Sequence, residues 1–213
     1  MNNELPIRCV LLDIGGVLLS NGWDRHARKR AADHFSLDFT DLDDRHHLNF
    51  EIYEIGKLTL EEYLQRVIFH EKRSFSSTHF QEFIFAQSTP IPEMIGLITQ
   101  LKHRYGLKVV ALSNEGLEIN DYRIRHFNLT SIFDFFVSSC FVKLRKPDPD
   151  IFQLAFDMVQ TPAQQIVFVD NTPLFTDIAN SMGMHTIHHQ DYARSCAQFA
   201  ALGLLLPIAN ATT

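Results

Sequence analysis

Hydrophobic and polar positions divide this chain into two kinds of segment. Short apolar runs without strict alternation stand at Ile7–Asp13, Leu107–Ser113, Phe133–Ser138, Ile166–Asp170 and Met184–His188. Runs of this length and character suit parallel strands buried on both faces. Between the later runs, apolar residues recur at helical spacing over about Pro92–Tyr105, Leu117–Phe127, Pro149–Val159 and Pro173–Met182. From residue 90 onward the order is strand, helix, strand. Right-handed crossovers then give an α/β fold with a doubly wound, Rossmann-like parallel sheet.

The stretch between the first and second strands breaks this rhythm. Residues 20–89 hold no strand pattern but four amphipathic stretches, about Asp24–His34, Asp41–Glu54, Leu60–His70 and Thr78–Gln87. That is more helix than a crossover needs. We therefore expect an α-helical cap, residues 20–89, inserted into an α/β core of residues 1–19 and 90–213. Several helix starts are legible. Thr59-Leu60-Glu61-Glu62 has the form of a capping box, and Asp148-Pro149 and Thr172-Pro173 each pair a cap with proline at the first helical position. Thr161-Pro162-Ala163-Gln164 carries the same signal and predicts a further helix start. The tail after Leu206 has little to anchor it.

Composition narrows the function classes. With 213 residues, 46% hydrophobic and 21% charged, the chain can bury a sizeable core. No window approaches the ~18–20 apolar residues of a membrane span. A net charge of −6 argues against general nucleic-acid binding. The basic run Arg25 to Arg30 reads as a solvated helix face. The start, Met1-Asn2-Asn3-Glu4, lacks the basic opening of a secretory signal, and Cys9, Cys140 and Cys196 form no CxxC pair; a reducing cytoplasm is the expected setting. His46-His47 and His188-His189 are adjacent pairs whose side chains point apart, so neither has metal-ligand spacing. Oligomeric state has no signature in the pattern.

Chemistry gathers at four strand ends. Val10-Leu11-Leu12 runs into Asp13, with Gly15 and Gly16 leaving room for a small anion or metal to approach the backbone. The second strand leads into Ser113-Asn114-Glu115-Gly116. The third is followed by Lys146-Pro147-Asp148-Pro149-Asp150-Ile151-Phe152, and the fourth ends in Asp170-Asn171-Thr172-Pro173. Open α/β sheets bind ligands at this carboxyl edge. Taken singly, each element is also a common turn, loop or helix cap. Together, an Asp, a small polar turn, a Lys and a second Asp suit phosphoryl transfer, which asks mainly for positioning and charge neutralisation.

This order resembles the haloacid dehalogenase (HAD) superfamily, especially its phosphatase-like members with a helical cap inserted after the first motif. Asp13-Ile14-Gly15-Gly16-Val17, Leu112-Ser113-Asn114, the Lys146–Phe152 stretch and Val167-Phe168-Val169-Asp170-Asn171, with Gly183-Met184 behind, carry the resemblance. It implies Asp13 as a nucleophile forming an aspartyl-phosphate, and Lys146 as the lysine that neutralises nucleophile and phosphate. It implies phosphate binding by Ser113 and the backbone of Asn114. It also implies Mg2+ held by Asp13, the carbonyl of Gly15, Asp170 and the Asn171 side chain. The expected partner is a small phosphorylated metabolite, such as a sugar phosphate. Lys143 stands where many relatives have glycine and is set aside.

Two positions depart from the phosphatase pattern. Gly15 replaces the second Asp that serves as acid and base, a loss worth typically ~10²–10⁴-fold in rate. Asn171 replaces a carboxylate. The Asp-x-Gly-x-Val form resembles a subgroup of sugar-phosphate phosphatases, and Glu115 is a candidate substitute for the missing acid. Two alternatives stand beside this reading: a binding or regulatory protein on an enzyme fold, and a metal-free 2-haloacid dehalogenase. The dehalogenases also lack the second Asp and use a Ser-Asn turn, but they carry aromatic-Gly-Thr where Gly15-Gly16-Val17 stands. Trp23 and Arg25, where the chain leaves the core, are candidates for the mouth of the site: Arg can grip an anion and an aromatic can stack on a sugar. A Trp packing the cap against the core is the plainer reading of Trp23.

Overall fold

Five short strands, each too apolar to face water, lie side by side in one parallel sheet. The computed structural model describes residues 6–206; the Met1–Glu4 opening and the tail beyond Leu206 lie outside the described residues. β1 (Cys9–Leu12), β2 (Lys108–Ser113), β3 (Phe135–Ser138), β4 (Ile166–Asp170) and β5 (His185–His188) are arranged in the order β3-β2-β1-β4-β5. β1 is central, with Leu12 in register with Ala111 on one side and Val169 on the other. The chain builds outward from β1 through β2 to β3, then returns to place β4 on the opposite flank. The carboxyl ends of β1 and β4 therefore bound a topological switch point, where such sheets bind ligands.

The strands alternate between two apolar layers. Val10, Leu12, Val109, Val167 and Val169 face a layer shared with Met94, Leu97, Ile98 and Leu101 of α5 (Pro92–Tyr105). Cys9, Leu11, Val110, Leu112 and Phe168 face the opposite layer, filled by Ile151, Phe152, Ala155 and Val159 of α6 (Pro149–Val159). A strand with both neighbours of every residue buried cannot show polar alternation, which is why these runs read as continuous apolar stretches.

In the inserted segment, α1 (Arg25–Phe35), α2 (Phe39–Glu54), α3 (Leu60–Val67) and α4 (Ser77–Ala86) gather around a core of their own. Tyr63, Leu64, Phe80 and Ile84 are fully buried in it, and Phe35, Phe75 and Phe80 form an aromatic cluster. The Thr59–Glu62 capping box closes in both directions. Asp38 caps α2 by accepting from Thr40 N and Asp41 N, so this helix starts two residues ahead of the expected Asp41. Arg28 corrects the reading of the basic run as solvated. It is buried, pairs with Asp43 of α2 at 2.9 Å and donates to the Trp23 carbonyl, because α1 turns that face onto α2.

The expected helix after Thr161 is one short turn, Ala163–Gln165, since β4 begins at Ile166 and leaves no length for more. A helix absent from the sequence pattern, α7 (Tyr192–Ala201), is capped by Asp191 and buries Phe199 in the first apolar layer. Insertion and core are joined by two strands of chain that run together: Ser20 N donates to the Thr89 carbonyl at 2.8 Å, and Ser20 Oγ donates to the Gln87 carbonyl. No helix among the described residues is long and apolar enough to cross a membrane.

Candidate active site

The ends of β1 and β4 bring two carboxylates to one ammonium. Asp13 N donates to the Val169 carbonyl at 2.9 Å, which fixes Asp13 beside Asp170. Lys146 Nζ lies 2.5 Å from Asp170 Oδ2 and 3.4 Å from Asp13 Oδ1. Lys146 and Asp170 are wholly buried, and the ammonium sits over the Phe175 ring at 5.0 Å. Burial disfavours the lysine's charge, yet the two carboxylates prevail and hold it protonated above its usual range. Burial pushes the Asp13 carboxyl up to about 6, with Lys146 pulling against it and Asp170 adding to it. Asp13 Oδ1 accepts from Ile14 N at 2.8 Å.

The polar turn after β2 supplies two different parts. Ser113 Oγ is buried and near enough to the Asp13 carboxyl to lower its pKa, with no other partner among the described residues, so its remaining hydrogen-bonding capacity is open to an external oxygen. The Asn114 side chain is already spent: Nδ2 donates to the Lys146 carbonyl at 2.7 Å and Oδ1 accepts from Lys146 N at 2.9 Å. Only the backbone of Asn114 is left to meet a ligand. Lys143 stays out of the site; it adopts φ +62°, and its Nζ is occupied by the carbonyls of Gly56 and Cys140.

The two glycines of the first motif differ. Gly16 has φ +71°, and a Cβ there would lie 2.0 Å from Asn171 Nδ2, so no other residue fits. The room expected beside it is filled by Asn171, whose Nδ2 donates to Asn21 Oδ1 at 3.1 Å. Gly15 is under no such constraint. A Cβ at position 15 would meet Arg123 Nη1 at 3.6 Å and Glu115 Oε1 at 3.7 Å, ordinary contact distances. Glu115 is thus a carboxylate beside the place where the second Asp would project. It is buried in an ion pair with Arg123, and burial pushes it up to about 7 against the pull of that guanidinium.

Above the turn lies a cavity of about 80 Å³ between insertion and core. The core gives Asn114, Glu115 and Gly116; the insertion gives Trp23, His46, Tyr53 and Glu54. Tyr53 seats directly on Gly116, where a Cβ would fall 2.0 Å from its Cζ. Arg145, from the loop before Lys146, holds Glu54 Oε2 through Nε and Nη2 at 3.1 and 2.9 Å, and reaches Glu51 as well. Trp23 lines the cavity, donates to Tyr63 OH at 2.9 Å and packs edge-on against Phe80 within the insertion. Arg25 does not line it. It lies exposed on the far side of α1, paired with Asp43 at 3.2 Å over the Phe39 ring, because that helix turns it toward α2. His46, Tyr53 and Glu54 were invisible as site residues in the sequence, since only the docking of α2 onto Arg145 brings them there.

The candidate oxygen donors at these strand ends are Asp13, Asp170, the Gly15 carbonyl and the side-chain oxygen of Asn171; Asp170 already accepts from Thr172 N through Oδ1 and from Lys146 Nζ through Oδ2, while Asn171 bonds Asn21 through its amide nitrogen. Among the described residues no three His, Cys, Asp or Glu side chains cluster as a complete metal cage. One or two carboxylates with waters and substrate oxygens is the usual setting for Mg2+, so the donor set fits that ion.

A family model described as haloacid dehalogenase-like hydrolase matches residues 7–174. A phosphorylated carbohydrates phosphatase of Thermotoga maritima is 24% identical over 216 residues, covering 94% of this chain and 95% of that protein. An (S)-2-haloacid dehalogenase of Pseudomonas sp. is 25% identical over 171 residues, covering 79% of this chain and 65% of the relative. The chain spans only 11% of the much longer bifunctional epoxide hydrolase 2 of Sus scrofa, which it matches at 36% identity over 59 residues. Among solved structures, a HAD family enzyme from Bacteroides thetaiotaomicron, in complex with magnesium and inorganic phosphate, superposes with a TM-score of 0.71 at 20% identity, covering 89% of this chain and 98% of that one. The likeness extends to the fold.

Proposed function

Since the chain belongs to the haloacid dehalogenase-like hydrolase family, we propose that it is a Mg2+-dependent phosphatase of small phosphomonoesters, sugar phosphates among them. The observation that carries this reading is the buried hydroxyl of Ser113 set against the Asp13–Lys146–Asp170 cluster. Such a cluster holds an anion by charge and a phosphate oxygen by hydrogen bond, and phosphoryl transfer demands little else.

In the proposed reaction, Asp13 Oδ2 attacks phosphorus and the ester P–O bond breaks. The leaving alkoxide takes up a proton from Glu115, and the phosphoryl group rests on Asp13. Water, passing a proton back to Glu115, then attacks the same phosphorus, the Asp13–phosphoryl bond breaks, and inorganic phosphate leaves with the carboxylate restored. Ser113 Oγ and the Asn114 backbone hold phosphate oxygens, while Lys146 offsets the charge of nucleophile and phosphate. Asp13, Asp170, the Gly15 carbonyl and Asn171 are the residues that would hold Mg2+, which would neutralise further phosphate charge. Glu115 is the carboxylate that stands in for the side chain missing at Gly15. The four-helix insertion acts as a cap that shields the reaction from bulk water.

A phosphate-release panel of small monoesters, with Mg2+ and with chelator, tests this reading. Metal-dependent release that disappears in Asp13→Asn supports it. The Pseudomonas relative and the bare Gly15 favour a second reading, a 2-haloacid dehalogenase. Chloride release from a 2-haloacid in chelator would put that reading first, and neither activity in a folded protein would leave a binding role.

A further inference from the structure

We propose that Arg123 is a positioning residue: its buried guanidinium ties both segments that join insertion to core to Glu115, so that Glu115 faces Gly15 only while the insertion is seated. This inference rests on the phosphatase reading, in which Glu115 gives the leaving group its proton, and names what holds that carboxylate in place.

Arg123 lies on the helix Leu117–His126, which starts just after the turn that carries Glu115. It is 1% exposed, and its ion-pair partner Glu115 is buried with it. Arginine is rarely buried so fully unless it is paired. Each nitrogen of the guanidinium serves a different part of the chain. Nη1 donates to Glu115 Oε1, Nε donates to Ser88 Oγ at 3.0 Å, and Nη2 donates to the Ser20 carbonyl at 3.2 Å. Ser20 and Ser88 stand on the two connecting segments, which also bond each other, Thr89 N donating to Ser20 Oγ at 3.0 Å. A rigid fork of donors can serve three such partners at once, whereas a lysine offers a single nitrogen. Gly22, on the first segment, makes room for this fork: it adopts φ +66°, and a Cβ there would overlap Arg123 Nη2.

The backbone of Glu115 is tied to the insertion as well. Glu115 N donates to Ser139 Oγ at 2.9 Å, and Ser139 Oγ donates to the Glu54 carbonyl, at the end of α2, at 2.7 Å. Side chain and backbone of Glu115 are thus both fixed through core residues that reach into the inserted segment. At the first motif, a Cβ on Gly15 would lie 3.6 Å from Arg123 Nη1 and 3.7 Å from Glu115 Oε1, so the pair stands against the place where the absent carboxylate would project. Lifting the insertion takes Ser20, Ser88 and the Glu54 carbonyl away together and frees the pair to move. Proton delivery is thereby confined to the seated state, in which the reaction is shielded from bulk water.

Two esters of equal carbon number test this with the full-length protein and Mg2+. Ethyl phosphate releases an alkoxide that needs a proton; acetyl phosphate releases acetate, which does not. The readout is the ratio of kcat/KM for ethyl phosphate to that for acetyl phosphate. Glu115→Gln should lower this ratio by about 100-fold, the ordinary worth of a general acid. Ser88→Ala, on the second connecting segment, should lower it by about three- to tenfold, and Arg123→Lys by at least about tenfold. In the Glu115→Gln background, Ser88→Ala should leave the ratio where it is, since both changes act through one carboxylate. Should Arg123→Lys fail to fold, Ser88→Ala decides. A ratio unmoved by Ser88→Ala alone, or lowered by it as much with Glu115→Gln as without, overturns the inference and leaves the phosphatase reading in place. Turnover of acetyl phosphate with none of ethyl phosphate also overturns it. No turnover of either ester removes the phosphatase reading and this inference with it.

Discussion

Asn114 and Lys146 hold each other by a reciprocal pair of hydrogen bonds, side-chain amide to backbone peptide, at 2.7 and 2.9 Å. The turn after β2 thereby fixes the loop that delivers the buried ammonium between Asp13 and Asp170. A residue that reads as a phosphate ligand in sequence is, by its side chain, the brace of Lys146. Asn114→Ala keeps the backbone amide and removes the brace. We expect kcat to fall by about 10- to 100-fold with a modest loss of stability, since small misplacements at a reacting centre cost that much. A kcat equal to that of the unmodified protein would show that the lysine needs no such support.

Lys146 also carries structural weight. Lys146→Met leaves two buried carboxylates without their cation, and breaking a buried pair this way costs about 3–5 kcal/mol. Urea unfolding in chelator should show that loss, and added Mg2+ should restore part of it by binding the same oxygens.

Gly15 and Gly116 should respond in opposite ways to a side chain. At position 15 a Cβ meets only ordinary contacts, so Gly15→Asp is expected to fold. If proton transfer limits turnover, kcat rises by about 10-fold or more; an unchanged kcat would mean that Glu115 or the leaving group itself already meets the need.

At position 116 a Cβ would overlap the Tyr53 ring. Gly116→Ala should therefore lift α2 from the core, raise KM and leave the α/β core folded. Limited proteolysis of the insertion, with far-UV circular dichroism as the control, reads this out.

The raised Asp13 carboxyl sets a pH dependence. Its neutral form is favoured in the fold, so its contribution to stability is present below the ordinary value of 3.8 and is lost as pH rises through about 6. In chelator, the Tm of Asp13→Asn should gain on that of the unmodified protein across this window, and Mg2+ should narrow the gap. Parallel Tm curves for the two proteins would count against the shift.

Much of this was legible in the chain because it depends on local rules. Strands buried on both faces must be apolar throughout, so their runs stand out and their ends locate Asp13, Ser113 and Asp170. Caps such as Thr59–Glu62 and Asp148-Pro149 are local hydrogen-bonding patterns and appear where the sequence puts them. The Thr161 signal misled because a cap cannot extend a helix into a strand that starts at Ile166. Arg28 misled because burial of an arginine depends on a partner, Asp43, contributed by another helix.

The sequence by itself determined the order of elements, the apolar layers and which residues stand at the carboxyl ends of the strands, since each follows from periodicity and chain direction. Only the tertiary structure decided what faces Gly15, that Arg25 turns away, and that Tyr53 and Glu54 line the cavity over the turn after β2. Those facts arise from packing between segments far apart in the chain, Arg145 on Glu54 and Tyr53 on Gly116, and no local pattern records which distant side chain fills a given space.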